Sequence, residues 1–249
     1  SFNPTDVSTA GAAGLWQLMP QTARTYGLRV DAWVDERRDP ERATRAAARY
    51  LRDLRARLGS WELALAAYNM GYGAMLRAAR RFNSTDFDAL AELEGGLPYE
   101  TANYVPRILS LALAARNPRA FGLDALEPDA PVRWDDVPFA RSVPLDSIAR
   151  ALGVAPDALR VLNPSLRGGR TPVVLNGAPF ALHVPPGQSG ADAESRLSAL
   201  RVPSLRVYQL RHGESVDELA RRFALSTSDL LGLSGIATEA RAVAGTALL

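Results

Sequence analysis

Four groups of polar and aromatic residues in the chain have the side chains needed to act on a ligand. The first is Ser1-Phe2-Asn3-Pro4, with Asp6 and Ser8 behind it. The second is Gly11-Ala12-Ala13-Gly14-Leu15-Trp16-Gln17-Leu18-Met19-Pro20, followed by Thr22-Ala23. The third is Ala67-Tyr68-Asn69-Met70-Gly71, and the fourth is Glu100-Thr101-Ala102-Asn103-Tyr104-Val105. The amides of Gln17 and Asn69 present a donor and an acceptor side by side, and the phenols of Tyr68 and Tyr104 join a flat face to an O–H. Taken singly, each group has a plain structural explanation. Glycine-rich runs make turns, and a Tyr or Asn on an apolar helix is ordinarily a satisfied core group. Cys is absent, which excludes disulfides, thiolate metal sites and a Cys nucleophile within these residues. His183 and His212 stand apart from other metal ligands and read as structural or solvent-facing, so neither a metal nor a cofactor is expected.

The elements that carry these groups are helical up to about residue 122. A helix is predicted from Asp39 to Leu58, with Asp39 as N-cap, Pro40 at the first helical position and Gly59 after the last periodic residue. Ala43, Ala47, Tyr50, Leu51, Leu54 and Leu58 form its apolar stripe, with Arg42, Arg45, Arg49, Arg52 and Asp53 on the other side. Trp61 to Met70 reads as a shorter, almost wholly apolar helix, buried from Trp61 onward. A third covers Tyr99 to Arg116, with Val105, Ile108, Leu109, Ala112 and Leu113 facing inward and Pro106 inside it. Asn117-Pro118 stops it.

Beyond Leu123 prolines break the chain into short segments, and two units of similar texture follow, from Arg141 to Pro185 and from Leu205 to Leu249. Leu145, Asp146, Ile148, Ala149, Arg150, Leu152, Leu159 and Leu162 have counterparts 71 residues later in Val216, Asp217, Leu219, Ala220, Arg221, Phe223, Leu230 and Leu233. Each unit reads as strand, helix, helix, strand, which makes a true repeat the better explanation. Pro186 to Asp192 between them reads as a polar linker.

Composition sets outer bounds. The 249 residues have room for one to two domains, and 47% are apolar, ample for a core. The 29 basic residues are all Arg and exceed the acidic ones by only two. They are interspersed with Asp and Glu, with no basic stripe interleaved with aromatics, so no nucleic-acid partner is read. No apolar run reaches the ~20 residues that span a bilayer.

In their order along the chain the four groups resemble the lysozyme-like lytic transglycosylases, in particular the membrane-bound type D branch. The family's first motif is Glu-Ser-x-aromatic-Asn-Pro, followed by a Ser and then Gly-Leu-(Met/Trp)-Gln-(Leu/Ile/Phe)-Met-Pro. Ala-Tyr-Asn-x-Gly and a Tyr on the last helix come later. The resemblance covers Ser1 to about Leu123. Aligning Phe2-Asn3-Pro4 on the first motif places the catalytic Glu two residues before Ser1, so the expectation is that these residues alone are inactive. No residue within the chain takes its place: Asp6 has no counterpart as an acid, and Glu100 reads as a helix-start carboxylate.

The resemblance implies cleavage of the β-1,4 bond between N-acetylmuramic acid and N-acetylglucosamine of peptidoglycan, closing a 1,6-anhydro ring. It assigns substrate binding to Ser8, Gln17, Met19, Tyr68, Asn69 and Tyr104, while Trp16 reads as core packing. Peptidoglycan strands are the implied partner and the bacterial periplasm or envelope the implied location. Any membrane attachment would run through residues upstream of Ser1. The second unit, with Val207-Tyr208-Gln209-Leu210-Arg211-His212-Gly213-Glu214-Ser215, is similar to the start of LysM modules, which bind N-acetylglucosamine chains. The first unit matches better at its end, in Leu162-Asn163-Pro164, and Ser234 stands where that family usually has Asn.

The expected fold class is therefore an α+β multidomain chain. A mainly α lysozyme-like domain occupies residues 1–122, and a connecting segment with a degenerate LysM-like unit occupies 123–185. A linker over 186–204 and a LysM-like module over 205–249 follow. Two other functions remain open on the sequence. One is hydrolysis on the same fold, as in goose-type lysozymes. The other is a non-catalytic peptidoglycan-binding protein.

Overall fold

The computed structural model describes residues 2–174, 178–202, 205, 208–223, 225–234, 236 and 242–248. Ser1, Val207 and Leu249, named in the expected motifs and strands, lie outside the described residues. By its contacts the chain divides into two compact units, one of residues 1–44 with 132–249 and the other of residues 45–131. This division does not coincide with the domain limit expected at residue 122. The physical reason lies in the first unit, where the N-terminal segment bonds to the later part of the chain: Asp35 N–H donates to Ser165 O at 2.8 Å and Arg167 N–H to Trp33 O at 3.0 Å.

In the first unit the chain opens with turns and then enters helix α1 (Pro20–Thr25), begun by Pro20 at its first position. Helix α2 (Pro40–Leu58) follows, and the division between the units falls within it, after Thr44. Its start is as expected: the Asp39 carboxylate accepts from Arg42 N–H at 2.9 Å.

In the second unit α2 continues into helices α3 (Trp61–Met70), α4 (Tyr72–Arg81), α5 (Phe87–Glu92) and α6 (Tyr99–Arg116). Ser60 caps α3 by accepting from Leu63 N–H at 3.1 Å. Leu63 to Ala67 are buried in the centre of a core built with Leu54, Met75, Leu90 and Val105. Two expectations need correction. Trp61, at the exposed start of α3, is 50% exposed rather than central. In α6 only the first half is packed: Thr101 and Val105 are buried, Ile108 lies against the core, and Leu109, Ala112 and Leu113 are exposed. Length explains the second difference. At ~1.5 Å per residue, α6 with 18 residues is about 27 Å long, whereas α3 and α4, with 10 each, reach only about 15 Å.

The remainder of the first unit holds two strand–helix–helix–strand units. The earlier one comprises β1 (Asp135–Phe139), α7 (Leu145–Leu152), α8 (Pro156–Leu162) and β2 (Phe180–Val184). Strands β1 and β2 pair antiparallel, with Val137 opposite Leu182. It begins at Asp135 rather than Arg141. The stretch 186–204, expected as a linker, contains helix α9 (Ala191–Ser198), which packs on α7 and buries Ala193 and Leu197 in the same core as Ile148, Leu159 and Leu182. The later unit has β3 (Tyr208–Gln209), α10 (Val216–Arg222), α11 (Thr227–Ser234) and β4 (Ala247–Leu248), with β3 antiparallel to β4. Ser215 and Glu218 close a reciprocal capping box at the start of α10. Among the described residues no helix is long and apolar enough to cross a membrane.

The repeat has a polar signature. Buried Asn163, at the end of α8, donates from Nδ2 to Leu159 O at 2.8 Å and to His183 O at 2.7 Å, and its Oδ1 accepts from His183 N–H at 2.9 Å. At the equivalent place in α11, buried Ser234 donates its hydroxyl to Leu230 O at 2.6 Å. The longer amide ties α8 to strand β2 with two bonds that a serine is too short to reproduce in this geometry. Replacing Asn163 by Ala leaves the backbone of His183 unpartnered on both sides. It should lower stability by about 2 kcal/mol in urea unfolding, and Asn163→Asp, which sets a buried carboxylate oxygen against the Leu159 and His183 carbonyls, should lose at least as much. Unchanged stability in both variants would rule out the clamp.

His183 also joins this unit to the start of α2. Its ring lies over Trp134 at a 4.8 Å centroid distance, with Nδ1 2.6 Å from Asp136 Oδ1 and Nε2 3.8 Å from Asp39 Oδ2. Burial pulls the imidazole pKa down, but the hydrogen bonds and charges of Asp39 and Asp136 outweigh it, so it lies above its usual value. Burial pushes Asp39 up; His183 and the Arg42 N–H reverse this and hold it below the carboxylate range. The imidazolium contribution is thus complete below about pH 6.5 and lost as pH rises through the raised value. The Asp39 contribution is lost instead as pH falls through its lowered value. Melting temperature should therefore drop in the native chain as pH rises above about 6.5, the unfolded value, and His183→Gln should flatten that drop. An unchanged pH dependence in His183→Gln would sink the assignment.

Candidate functional site

The glycine-rich N-terminal loop is built around one buried cation. Arg37, 6% exposed, lies in the short 3-10 turn Glu36–Arg38 and pairs with Asp35, 2% exposed, through Nε–Oδ1 at 2.8 Å and Nη2–Oδ2 at 2.7 Å. Its Nη1 donates to Gly11 O at 2.7 Å and Leu18 O at 2.9 Å, the two flanks of the loop. Four of the five N–H donors of the guanidinium fork are thereby used. Burial pushes the Asp35 carboxyl up, but the hydrogen bonds and charge of Arg37 prevail and hold it below its usual value. Gly14 closes against the same turn. Its φ is +78°, and a Cβ there would lie 1.8 Å from Arg37 O, so no other residue fits.

Ser8, Gln17 and Met19 are positioned by this loop. Ser8 N–H donates to Ala12 O at 2.8 Å, and Ser8 Oγ accepts from Ala12 N–H at 3.0 Å. Gln17 adopts φ +47°, a left-handed conformation uncommon for a residue with a Cβ. Its side chain compensates by donating from Nε2 to Gly14 O at 2.8 Å and toward Asp6 O at 3.4 Å. Its donor group is thus directed to the loop itself. Met19 is exposed at the start of α1. Trp16 is half-buried and donates its indole N–H to Thr44 Oγ1 at 2.7 Å.

In the second unit Tyr68, Asn69 and Tyr104 come together where the end of α3 meets α6. Asn69 Oδ1 accepts from buried Thr101 Oγ1 at 2.7 Å, and its Nδ2 lies 3.4 Å from Glu100 Oε1. Gly71, at φ +92°, ends α3 immediately after and lets α4 begin. Tyr68 packs on Tyr50 with ring centroids 5.4 Å apart. Burial, then the neighbouring phenols of Tyr104 and Tyr50, raise the Tyr68 pKa, and burial raises those of Tyr50 and Tyr104. All three therefore remain protonated donors throughout the neutral range. Among the described residues no cluster of His, Asp or Glu is arranged to hold a metal ion.

Two participants were not singled out by the sequence. Tyr50 sits in the apolar stripe of α2, where a tyrosine reads as core. Arg37 lies in Asp35-Glu36-Arg37-Arg38-Asp39, which reads as a solvated charge run; only the unusual density of alternating charge marked it.

Residues 1–91 match the family described as the transglycosylase SLT domain. The chain is similar to the membrane-bound lytic murein transglycosylase D of Escherichia coli strain K12, at 31% identity over 92% of its length and 53% of that relative. It thus spans about half the length of this curated relative. It is also similar to membrane-bound lytic murein transglycosylase F of Vibrio cholerae, at 36% identity over 39% of this chain and 19% of the relative. A third relative is the peptidoglycan transglycosylase gp16 of Escherichia phage T7, at 35% identity over 45% of this chain and 8% of the relative.

Arg37→Ala leaves the buried Asp35 carboxylate without its cationic partner and removes one donor from each of the Gly11 and Leu18 carbonyls. The expected loss is about 3–5 kcal/mol in denaturant unfolding, large enough to unfold the first unit. A loss below ~1 kcal/mol would mean that the loop holds its form without the cation.

Proposed function

We propose that the intact protein is a lytic transglycosylase that cuts the β-1,4 bond between N-acetylmuramic acid and N-acetylglucosamine of peptidoglycan, acting in the periplasm or cell envelope. The observation that supports this reading most directly is the cluster of neutral phenols and amide at Tyr68, Asn69 and Tyr104, carried on helices of a chain whose N-terminal part matches the SLT domain. Uncharged donors beside flat aromatic faces suit the hydroxyl and acetamido groups of a sugar better than they suit an ionic substrate.

The general acid in this reading is a Glu two residues before Ser1, from the alignment of Phe2-Asn3-Pro4. An apolar surrounding keeps its carboxyl protonated. Its proton passes to the glycosidic oxygen as the bond from that oxygen to the anomeric carbon breaks. The 6-hydroxyl oxygen of the muramic acid bonds to the same carbon, and its proton returns to the carboxylate. No water is consumed, and the internal hydroxyl gains the advantage of proximity. Ser8, Gln17, Met19, Tyr68, Asn69 and Tyr104 bind the sugar. Gln17 does so while fixing the loop, which leaves its amide oxygen as the group for the ligand. The later strand–helix–helix–strand unit is LysM-like and holds the enzyme on N-acetylglucosamine chains, and the earlier one is a degenerate copy.

Digestion of purified sacculi by the full-length protein, read by mass spectrometry, should release muropeptides with 1,6-anhydro ends. Reducing ends alone would replace this reading with hydrolysis, and sacculus binding without cleavage would replace it with a non-catalytic wall-binding role. Gln17→Ala and Asn69→Ala should each lower turnover by about tenfold or more, as for a lost polar contact at a reacting substrate. Full turnover in both would remove their assigned roles.

A further inference from the structure

The first unit contains a cavity of about 300 Å³ whose walls include Trp33, Pro144, Arg167, Gly168, Gly169 and Arg170. Its frame is fixed before any ligand arrives. Leu145 N–H donates to Gly169 O at 2.9 Å, Thr171 N–H to Val143 O at 3.0 Å, and Val143 N–H to Thr171 Oγ1 at 2.8 Å. Trp33 is carried in by the N-terminal segment: its own N–H donates to Asp31 Oδ1 at 2.8 Å, its carbonyl accepts from Arg167 N–H, and Val34 bridges to Leu166 beside it.

The two arginines in this wall lack anionic partners among the described residues. Arg170 donates from Nε to Ser142 Oγ at 2.8 Å, and Arg167 from Nη1 to Asp31 O at 3.0 Å. Asp31, whose backbone carbonyl accepts from Arg167, has its carboxylate taken by Arg29 and by the N–H groups of Trp33 and Val34. Burial lowers the Arg170 pKa, as expected of a half-buried cation with no compensating charge. Two guanidinium groups beside an indole face and a glycine-rich wall match a planar carboxylate attached to a small apolar body. A bare phosphate would leave the indole and Pro144 unused.

We propose that this cavity binds a carboxylate-terminated peptide of the cell wall, with Arg167 and Arg170 taking the carboxylate and Trp33 covering the aliphatic part of the peptide. The choice of a wall peptide rests on the reading of peptidoglycan as substrate; the preference for a carboxylate rests on the cavity alone. The site would read the peptide stems, which a groove for neutral N-acetylglucosamine chains leaves unread.

The test is calorimetric titration of the chain with muramyl dipeptide, its neutral carboxamide analogue, a chitotetraose and inorganic phosphate. Muramyl dipeptide should bind, with the carboxamide at least about tenfold weaker, as for the loss of a charge-assisted pair. Arg167→Ala and Trp33→Ala should weaken the dipeptide by a similar factor. Arg167→Ala should leave the melting temperature unchanged because that side chain is exposed. Arg170→Lys keeps the charge but loses the fork and should weaken binding less than Arg170→Gln. Equal affinity for acid and amide, displacement of the bound dipeptide by chitotetraose, or no effect of Arg167→Ala and Arg170→Gln would overturn the proposal. Phosphate binding as tightly as the dipeptide would reduce the cavity to an unselective anion site and overturn the peptide assignment. Binding is read without turnover, so failure here leaves the transglycosylase reading standing, and absence of anhydro products leaves the cavity standing.

Discussion

The buried pair of Arg37 and Asp35 is the constraint on which the N-terminal loop depends. A charge taken out of water is tolerable only when it is paired and hydrogen-bonded, and here the fork is bound by one carboxylate and by carbonyls from both flanks of the loop. The loop has little apolar mass to hold it: Ala13 and Leu18 are its buried hydrophobic residues. The conformations of Ser8 and Gln17 follow from this arrangement, including the left-handed backbone at Gln17. A polar bolt replaces a hydrophobic core in the part of the molecule that must stay open to solvent.

The second unit uses the opposite strategy. Its core is built on close-packed alanine and leucine of α3, and Tyr68 and Asn69 emerge from the apolar mass at the end of that helix, beside Tyr104 of α6. Thr101, wholly buried, orients the Asn69 oxygen, and Tyr50 backs the Tyr68 ring. Rigid support of this kind fixes uncharged donors in place without a cost in buried charge.

Much of the helical framework was legible in the sequence because caps and apolar period agreed. Asp39-Pro40 opens α2 and Asn117-Pro118 follows α6, and both ends fall as read. The exposed half of α6 was not legible, since Leu109 and Leu113 fit the period and only the shortness of the neighbouring helices leaves them uncovered. Helices α4 and α5 are short and follow glycine or polar turns, and α9 carries just two apolar contacts, Ala193 and Leu197, in a polar stretch. The order of the motifs named the candidate site residues. It did not reveal that the Gln17 donor group turns to Gly14, that Asn69 is held by Thr101, or that Tyr50 joins the phenols. Those depend on contacts between residues distant in sequence or on backbone angles. The repeat was visible in its apolar positions, and the structure adds the distinction between a clamping Asn163 and a shorter Ser234.

Gly14 separates ancestry from activity. Its lack of a side chain is required by the carbonyl of Arg37 and owes nothing to a bound sugar. A descendant of this chain that lost its acid and kept only adhesion to the wall would still have to retain that glycine, together with Arg37 and Asp35, to fold the loop. Glycine in the Gly-Leu-Trp-Gln run is therefore a marker of shared architecture, and a census of proteins carrying it would count scaffolds rather than enzymes.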